Sequence, residues 1–252
     1  MSSYDFRTPR LYVDAPLAPA ATVPLSREQT NHLVNVLRLK SGDCVLVFNG
    51  RDGEWRANLT AMGKRGFALA VVTRTRTQTH LLDLHYLFAP LKHARLDYMT
   101  QKAVEMGASR LQPVLTRHVQ VSRVNLDRMR ANVIEAAQQC GILNLPEVAP
   151  PMTLERMLAR REATRVLVFC DEDAPVKDPI AALSAMRSSK GAAPTALAVL
   201  IGPEGGFATD ERAALTEQPN VVRISLGPRI LRADTAAVAA LALVEAVLGD
   251  WQ

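Results

Sequence analysis

Two glycine-containing segments near the C-terminus each follow a run of mostly apolar residues. The first run, residues 196–201, leads into 202–207, and the second, residues 221–226, leads into 227–232. Such runs are typical of parallel strands that are covered on both faces of a sheet. Because open α/β sheets bind ligands outside the carboxyl ends of their strands, the sequence predicts an α/β domain in which both segments form one cofactor site.

The first part of the chain has the pattern of a small β-barrel. Strands predicted at 44–48, 54–60 and 66–73 are separated by turn-forming residues. One helix interrupts them: Ser26 suits its N-cap, Gln29 completes a capping box, and Gly42 is expected to end it. The threonine-rich stretch 73–79 has no apolar periodicity, so we predict one domain at 1–74 and a second at 80–252.

The second part alternates strands with helices, which is typical of an α/β sheet. Strands are expected at 82–89, 111–115 and 166–170, and helices at 96–106, 126–140, 153–161 and 180–186. Thr209 is expected to cap the helix after the first glycine segment. The final helix, predicted at 235–248, is apolar on most faces, which predicts burial in the sheet, in a dimer interface, or in both.

Composition excludes several classes of protein. No apolar run approaches the roughly 20 residues of a membrane-spanning helix, and the first ten residues lack a signal-peptide core, so a cytoplasmic protein without membrane contact is expected. Three cysteines without a CxxC pair and five histidines without HExxH spacing predict neither a disulfide framework nor a metal site. A net charge of +5 is compatible with a polyanionic partner.

The glycine segments also differ from the common nucleotide-binding motifs. Neither has GxGxxG or GxxxxGK[ST] spacing, which disfavours dinucleotide-dependent dehydrogenases and P-loop NTPases. Both come late in the domain, whereas ordinary Rossmann-like methyltransferases have their glycine loop after the first strand. Glycines allow the main chain to approach a ligand closely, and Pro203 and Pro228 stiffen the two turns.

The two segments, followed by Ala-Asp-Thr-Ala at 233–236, resemble the SPOUT class of methyltransferases. Within that class they are similar to the RsmE-type enzymes, which methylate N3 of a uridine in 16S ribosomal RNA. The resemblance extends to 32–38, 102–108, Pro113 and 135–141, and so covers nearly the whole chain. It implies a C-terminal α/β trefoil-knot domain preceded by a small PUA-like RNA-binding β-barrel, and a homodimer formed through the knotted domain.

The resemblance also implies the cofactor and the site residues. S-adenosylmethionine would be held by Ile201, Gly202, Pro203, Glu204, Gly205, Leu226, Gly227, Ile230 and Leu231. Arg232 would donate to the uracil oxygens, and Asp234 would either accept the N3 proton or orient Arg232 and stabilise the last helix. The family usually has Thr-Glu where this chain has Ala233-Asp234, and commonly has arginine in place of Ile142.

Ribosomal RNA of the small subunit is the partner that the resemblance implies. The basic residues expected to contact it are Arg38, Lys92, Lys102, Arg117 and Arg229, although each could instead be solvated or paired on the surface. Trp55 would either stack on a base or lie in the core, and Cys140 is predicted to be a buried structural thiol.

Two alternatives remain at the level of sequence. One is a SPOUT enzyme that methylates a ribose 2′-hydroxyl, although such enzymes usually have a Ser-Leu-Asn-type motif where this chain has 231–235. The other is a non-catalytic RNA-binding or ribosome-assembly factor, which would tolerate disrupted cofactor loops.

Overall fold

The computed structural model describes residues 5–63, 66–121, 123–190 and 196–251. Two compact units account for the chain. One comprises residues 1–80 together with 137–145, and the other comprises 81–136 and 146–252.

The N-terminal unit contains a five-stranded sheet with the order β1-β3-β4-β5-β2. The strands are β1 (Arg10–Tyr12), β2 (Thr22–Pro24), β3 (Cys44–Phe48), β4 (Glu54–Ala61) and β5 (Phe67–Arg76). Strands β3, β4, β5 and β2 pair antiparallel, and β1 pairs with β3 in parallel. Trp55 lies in the core of this unit, and its indole N–H donates to the Asp52 carbonyl, so the structure supports the core position rather than stacking on a base.

Helix α1 (Arg27–Thr30) begins with the predicted capping box, because Ser26 accepts from the Gln29 N–H while the Gln29 side chain accepts from the Ser26 N–H. The chain continues as a π-helical segment, Asn31–Val36. The prediction that Gly42 ends the helix was wrong. The segment ends at its C-cap, Leu37, and the next residue, Arg38, has the left-handed backbone (φ +57°) that turns the chain away.

The C-terminal unit contains a seven-stranded sheet with the order β12-β10-β11-β6-β7-β8, and β9 pairs with β7. Its strands are β6 (Asp83–Phe88), β7 (Arg110–Leu115), β8 (Glu147–Val148), β9 (Met152–Thr153), β10 (Val166–Cys170), β11 (Ala196–Ile201) and β12 (Val221–Ile224). All of these pairings are parallel. Leu197 to Leu200 of β11 are fully buried, which confirms the predicted parallel strand covered on both faces.

Within the described ranges, six helices accompany this sheet. They are α2 (His93–Glu105), α3 (Leu126–Cys140), α4 (Leu154–Arg160), α5 (Pro179–Lys190), α6 (Thr209–Thr216) and α7 (Ala233–Leu248). Helix α7 packs against α2, α5 and β11, as its apolar composition predicts. It begins at Ala233, two residues before the predicted start, so Asp234 lies in its first turn. In the described part of the chain no helix is long and apolar enough to cross a membrane.

Other helix starts also differ from prediction: α2 begins three residues before the predicted residue 96, and α4 and α5 each begin one residue from the predicted start. Helix α6 begins at Thr209, and its N-cap is Ala208 rather than the expected Thr209. Alanine can occupy the cap because Glu211, buried in the first turn, accepts the Ala208 N–H and, with its other oxygen, the Arg117 N–H. The carboxylate thus makes the reciprocal bond of a capping box, and its charge lies at the positive end of the helix.

Candidate active site

A cavity of about 580 Å³ lies at the carboxyl ends of β10, β11 and β12. Strand β10 pairs with both β11 and β12, so the segments after the two outer strands meet across the end of β10. We call residues 202–207 the first loop and residues 226–232 the second loop. The predicted cofactor residues that line the cavity are Ile201, Gly202, Pro203, Glu204, Leu226, Gly227, Ile230 and Leu231. Gly206 lines it in place of the predicted Gly205.

The first loop is held by aromatic packing and by hydrogen bonds. A Cβ atom at Gly202 would lie 2.5 Å from Cε2 of Phe207, so only glycine fits beneath this ring. The Phe207 ring meets Phe169 of β10 edge-on, with 5.1 Å between centroids. His118 Nδ1 lies 3.1 Å from the Gly205 carbonyl and 3.2 Å from that of Gly206. Since carbonyls only accept, Nδ1 carries the hydrogen and donates.

An arginine from α2 connects the first loop to the start of α7. Arg95 Nη1 contacts Glu204 Oε1 at 2.5 Å, and its Nε and Nη2 contact the two Asp234 oxygens at 3.1 and 3.2 Å. Asp234 also accepts its neighbour Thr235's N–H at 2.9 Å. These hydrogen bonds, those from Arg95 first, lower the pKa of Asp234 below its ordinary value.

The second loop is more exposed than the first. Gly227 has φ +99°, a conformation that side chains other than glycine rarely adopt. Ile230 is 98% exposed, and Arg229 and Arg232 are also exposed. Arg232 is the N-cap of α7, with an extended backbone. No described residue forms an ion pair or hydrogen bond with either guanidinium. Arg229 lines the cavity, and Arg232 lies between the lining residues Leu231 and Ala233.

Known proteins share this architecture. The family model described as an RNA methyltransferase domain matches residues 77–245, and that of an RNA methyltransferase PUA domain matches 25–72. The ribosomal RNA small subunit methyltransferase E of Rickettsia conorii is 30% identical over 236 residues, covering 93% of this chain and 94% of that protein. The chain belongs to the ribosomal RNA small subunit methyltransferase E family.

Other members of the family agree in sequence and in structure. The Bacillus subtilis protein of the same name is 30% identical, covering 89% of this chain and 90% of its own length. The crystal structure of the Neisseria gonorrhoeae methyltransferase E, bound to S-adenosyl methionine, has a TM-score of 0.86 at 27% identity and covers 98% of this chain and 100% of that one. The expected fold, a PUA-like domain before a SPOUT α/β domain, is therefore confirmed.

Family resemblance gave no indication of a buried carboxylate in the cavity wall that pairs with two arginines. The buried Asp171, which lines the cavity directly after β10, is 2.7 Å from Arg212 Nη1 and 2.6 Å from Arg223 Nη2. Arg212 and Arg223 belong to α6 and β12, so Asp171 joins the end of β10 to the helix that follows β11 and to β12 itself. Its position just after an apolar run was the available sequence signal, the same one that identified the glycine loops.

Two cysteines are placed differently from each other. Cys140 is exposed, so the prediction of a buried thiol was wrong: the last turn of α3 directs this side chain to the surface. Cys170 lines the cavity, and desolvation raises the pKa of its thiol well above the ordinary value, so it remains protonated and is a poor nucleophile. Among the described residues, no group of three His, Cys, Asp or Glu side chains is arranged to hold a metal ion.

Some of the predicted RNA-binding residues are exposed, and others already bind a carboxylate of the protein. Lys92 and Arg229 of the C-terminal unit and Arg38 of the N-terminal unit are exposed. Lys102 pairs with Glu105 at 2.7 Å and lies 5.6 Å above the Tyr98 ring. Arg117 binds Asp210 through two hydrogen bonds of 2.9 and 2.6 Å. Phosphate contact by these last two side chains would therefore require exchange of an existing carboxylate partner.

Proposed function

We propose that this protein transfers a methyl group from S-adenosylmethionine to N3 of a uridine in the 16S ribosomal RNA of the small subunit. The observation that carries the proposal is the cavity lined by both glycine loops, with the exposed Arg232 next in sequence to the lining residues Leu231 and Ala233. Support also comes from the methyltransferase E of Neisseria gonorrhoeae, which is bound to S-adenosyl methionine and is similar over 98% of this chain.

The cavity suits such a cofactor in size and in chemistry. Its volume of about 580 Å³ falls within the range of about 300–1,000 Å³ that is usual for small-molecule sites. Gly202 and Gly227 leave main-chain N–H and C=O groups uncovered for an adenine edge. The residues that line the cavity and would hold the cofactor are Ile201, Gly202, Pro203, Glu204, Gly206, Leu226, Gly227, Ile230 and Leu231. When bound, S-adenosylmethionine supplies an electrophilic methyl group on its sulfonium.

Arg232 is the proposed catalytic residue. Uracil N3 carries a proton at neutral pH, so its attack on a methyl group develops negative charge on the uracil oxygens as the proton leaves. The exposed guanidinium of Arg232 can donate to one of these oxygens and stabilise that charge. The N3 proton then passes to water, the methyl group forms a bond with N3, and the bond between sulfur and the methyl group breaks.

Asp234 is better suited to orienting the site than to accepting the proton. Its two oxygens already accept three hydrogen bonds, two from Arg95 and one from the Thr235 N–H. Its lowered pKa makes it a weak base. Of the two roles predicted for this carboxylate, we therefore favour stabilising the first turn of α7, from whose N-cap Arg232 projects.

We further propose the partners and the domain division that the family resemblance implies. The domains are 1–74 and 80–252, and the second would contain the trefoil knot and form the homodimer. Arg38, Lys92 and Arg229 would contact RNA directly because they are exposed. Lys102 and Arg117 would do so after releasing Glu105 and Asp210.

The test uses small ribosomal subunits from cells that lack this methylation. The purified protein and S-adenosylmethionine are incubated with the subunits, and the added methyl group is mapped by nuclease digestion and mass spectrometry. N3-methyluridine in 16S RNA is the expected product, and Arg232→Ala is the inactive control. A ribose 2′-O-methyl product would favour the other SPOUT activity. Tight binding without methylation would favour an assembly factor.

A further inference from the structure

Arg95 lies in the first turn of α2, far in sequence from both cofactor loops. Its guanidinium nevertheless contacts two carboxylates that flank the cavity, Glu204 in the first loop and Asp234 in the first turn of α7. The Arg95 side chain is 35% exposed and that of Asp234 is 16% exposed, so the pair is shielded more than an ordinary surface ion pair. Three separate segments of the chain therefore meet at one side chain.

The geometry uses the whole guanidinium. Nε and Nη2 contact the two oxygens of Asp234 in the parallel, bidentate arrangement that arginine forms with carboxylates. Nη1 remains for Glu204. Lysine has a single point charge without this planar fork, so it can neutralise one partner but cannot fix the orientation of both.

The two carboxylates belong to different parts of the site. Glu204 is part of the first loop, whose other residues pack under Phe207 and against His118. Asp234 is two residues after Arg232, the N-cap of α7. Fixing both carboxylates to one guanidinium therefore links the better-packed first loop to the turn of α7 that directly follows Arg232.

We propose that Arg95 is a positioning residue for methyl transfer, which binds Glu204 and Asp234 together and so sets Arg232 relative to the first loop. The consequence for catalysis rests on the proposed function. The contact itself does not, since it joins residues of the free protein. The short side chain of Asp234 suits this role, because its carboxylate accepts hydrogen bonds from Arg95 and also from the N–H of the adjacent Thr235.

The first experiment compares Arg95→Gln and Arg95→Lys with the wild-type protein. Calorimetric titration gives the Kd for S-adenosylmethionine, and turnover on small subunits gives kcat and KM. We expect Arg95→Gln to lower kcat about 100-fold, as misplacement of a catalytic group does, and to raise the cofactor Kd, while KM for the subunit changes little. Arg95→Lys should recover part of the loss in kcat.

A matched control separates positioning from the loss of an ion pair. Arg128 of α3 binds Asp97 through Nε and Nη2 in a similar bidentate geometry, and neither residue lines the cavity. Arg128→Gln should therefore leave kcat and the cofactor Kd close to wild type. An equal loss of kcat in Arg128→Gln and Arg95→Gln would overturn the proposal.

A double-mutant cycle tests whether Arg95 acts through Asp234. Residues that act as one unit give strongly non-additive effects. The double variant of Arg95→Gln and Asp234→Asn should therefore have about the same kcat as Arg95→Gln alone. Losses that multiply in the double variant, or an Arg95→Gln protein whose kcat and cofactor Kd stay within about twofold of wild type, would contradict the proposal.

One measurement is independent of cofactor and RNA. The Asp234 carboxyl is followed by carbon-13 NMR during a pH titration of the wild-type protein and of Arg95→Gln. Its pKa should lie below the ordinary range in wild type and rise towards it in the variant. If the pKa of Asp234 in the wild-type protein lies in the ordinary range, the contact with Arg95 does not form in solution and the proposal is wrong. A protein that shows the shift but does not methylate small subunits would disprove the proposed function while retaining the contact.

Discussion

The first and second loops come after two strands of one parallel sheet and line one cavity, but they are held in different ways. The first loop packs Gly202 beneath the Phe207 ring and receives hydrogen bonds from His118 and Arg95. In the second loop, within the described part of the chain, Ile230 is almost fully exposed and the arginines contact no partner. Two loops at the carboxyl ends of strands in one sheet can therefore be packed very differently.

The two key glycines illustrate the difference. Gly202 is required by space, since a Cβ atom would enter the Phe207 ring. Gly227 is required by backbone conformation, since a Cβ atom there meets nothing within 4 Å but φ is +99°. Substitutions in the first loop should consequently change both stability and ligand binding, whereas substitutions of the exposed second-loop side chains Arg229, Ile230 and Arg232 should leave stability nearly unchanged.

The largest expected effect comes from Arg232→Ala in the second loop. Loss of the donor to the uracil oxygens should lower kcat by about 100-fold or more, while the free energy of unfolding changes by less than about 0.5 kcal/mol because the side chain is exposed. Single-turnover kinetics with bound subunits and a denaturant titration check both values. Arg229→Ala is the matched control, and it should raise KM for the subunit more than it lowers kcat. A near-normal kcat in Arg232→Ala would show that Arg232 does not take part in methyl transfer.

The next effect comes from Gly202→Ala in the first loop. The new methyl group would force the Phe207 ring to move, which should destabilise the protein by about 1–3 kcal/mol and weaken binding of S-adenosylmethionine. Thermal unfolding and calorimetry measure the two losses. Adding Phe207→Leu should restore part of the stability, because the smaller side chain makes room for the methyl group. If the double variant is less stable than the wild-type protein by the sum of both single losses, the steric explanation is wrong.

Local sequence patterns predicted the elements that surround the cavity. Strand β11 has the predicted bounds, because an apolar run between polar residues is a local signal. The capping box at Ser26 is also local, since both partners lie within one turn. The two glycine loops were found in the same way, from glycines that come directly after apolar runs.

Residues that act over long sequence distances were not predicted. Arg95 lies in an ordinary amphipathic helix, and its partners are more than one hundred residues away, so no local pattern identifies it. His118 and Arg212 reach the site only because parallel strands bring their segments to one edge of the sheet. Several helix starts were displaced by one to three residues. At α6 the N-cap is Ala208, whose N–H is accepted by the buried Glu211 of the first turn.

Gly227→Ala tests whether the second loop requires glycine for its backbone conformation, and Gly42→Ala is its control. Both glycines have nearly the same φ, +99° and +98°, and at both a Cβ atom would meet open space. Each substitution should therefore cost about 1–2 kcal/mol of stability, the usual penalty for a left-handed backbone. Only Gly227→Ala should also weaken S-adenosylmethionine binding, which calorimetry measures. Equal affinities in the two variants would mean that the second loop does not contact the cofactor.

The smallest expected effects come from one apolar side chain in each loop. Phe207→Leu removes an edge-to-face contact with Phe169 and should destabilise the protein by about 1 kcal/mol. Ile230→Ala removes a side chain that is 98% exposed, so its free energy of unfolding should change by less than about 0.5 kcal/mol. Urea titrations of both variants give this difference. If Ile230→Ala proved as destabilising as Phe207→Leu, the second loop would have to be packed in solution, and the contrast between the loops would disappear.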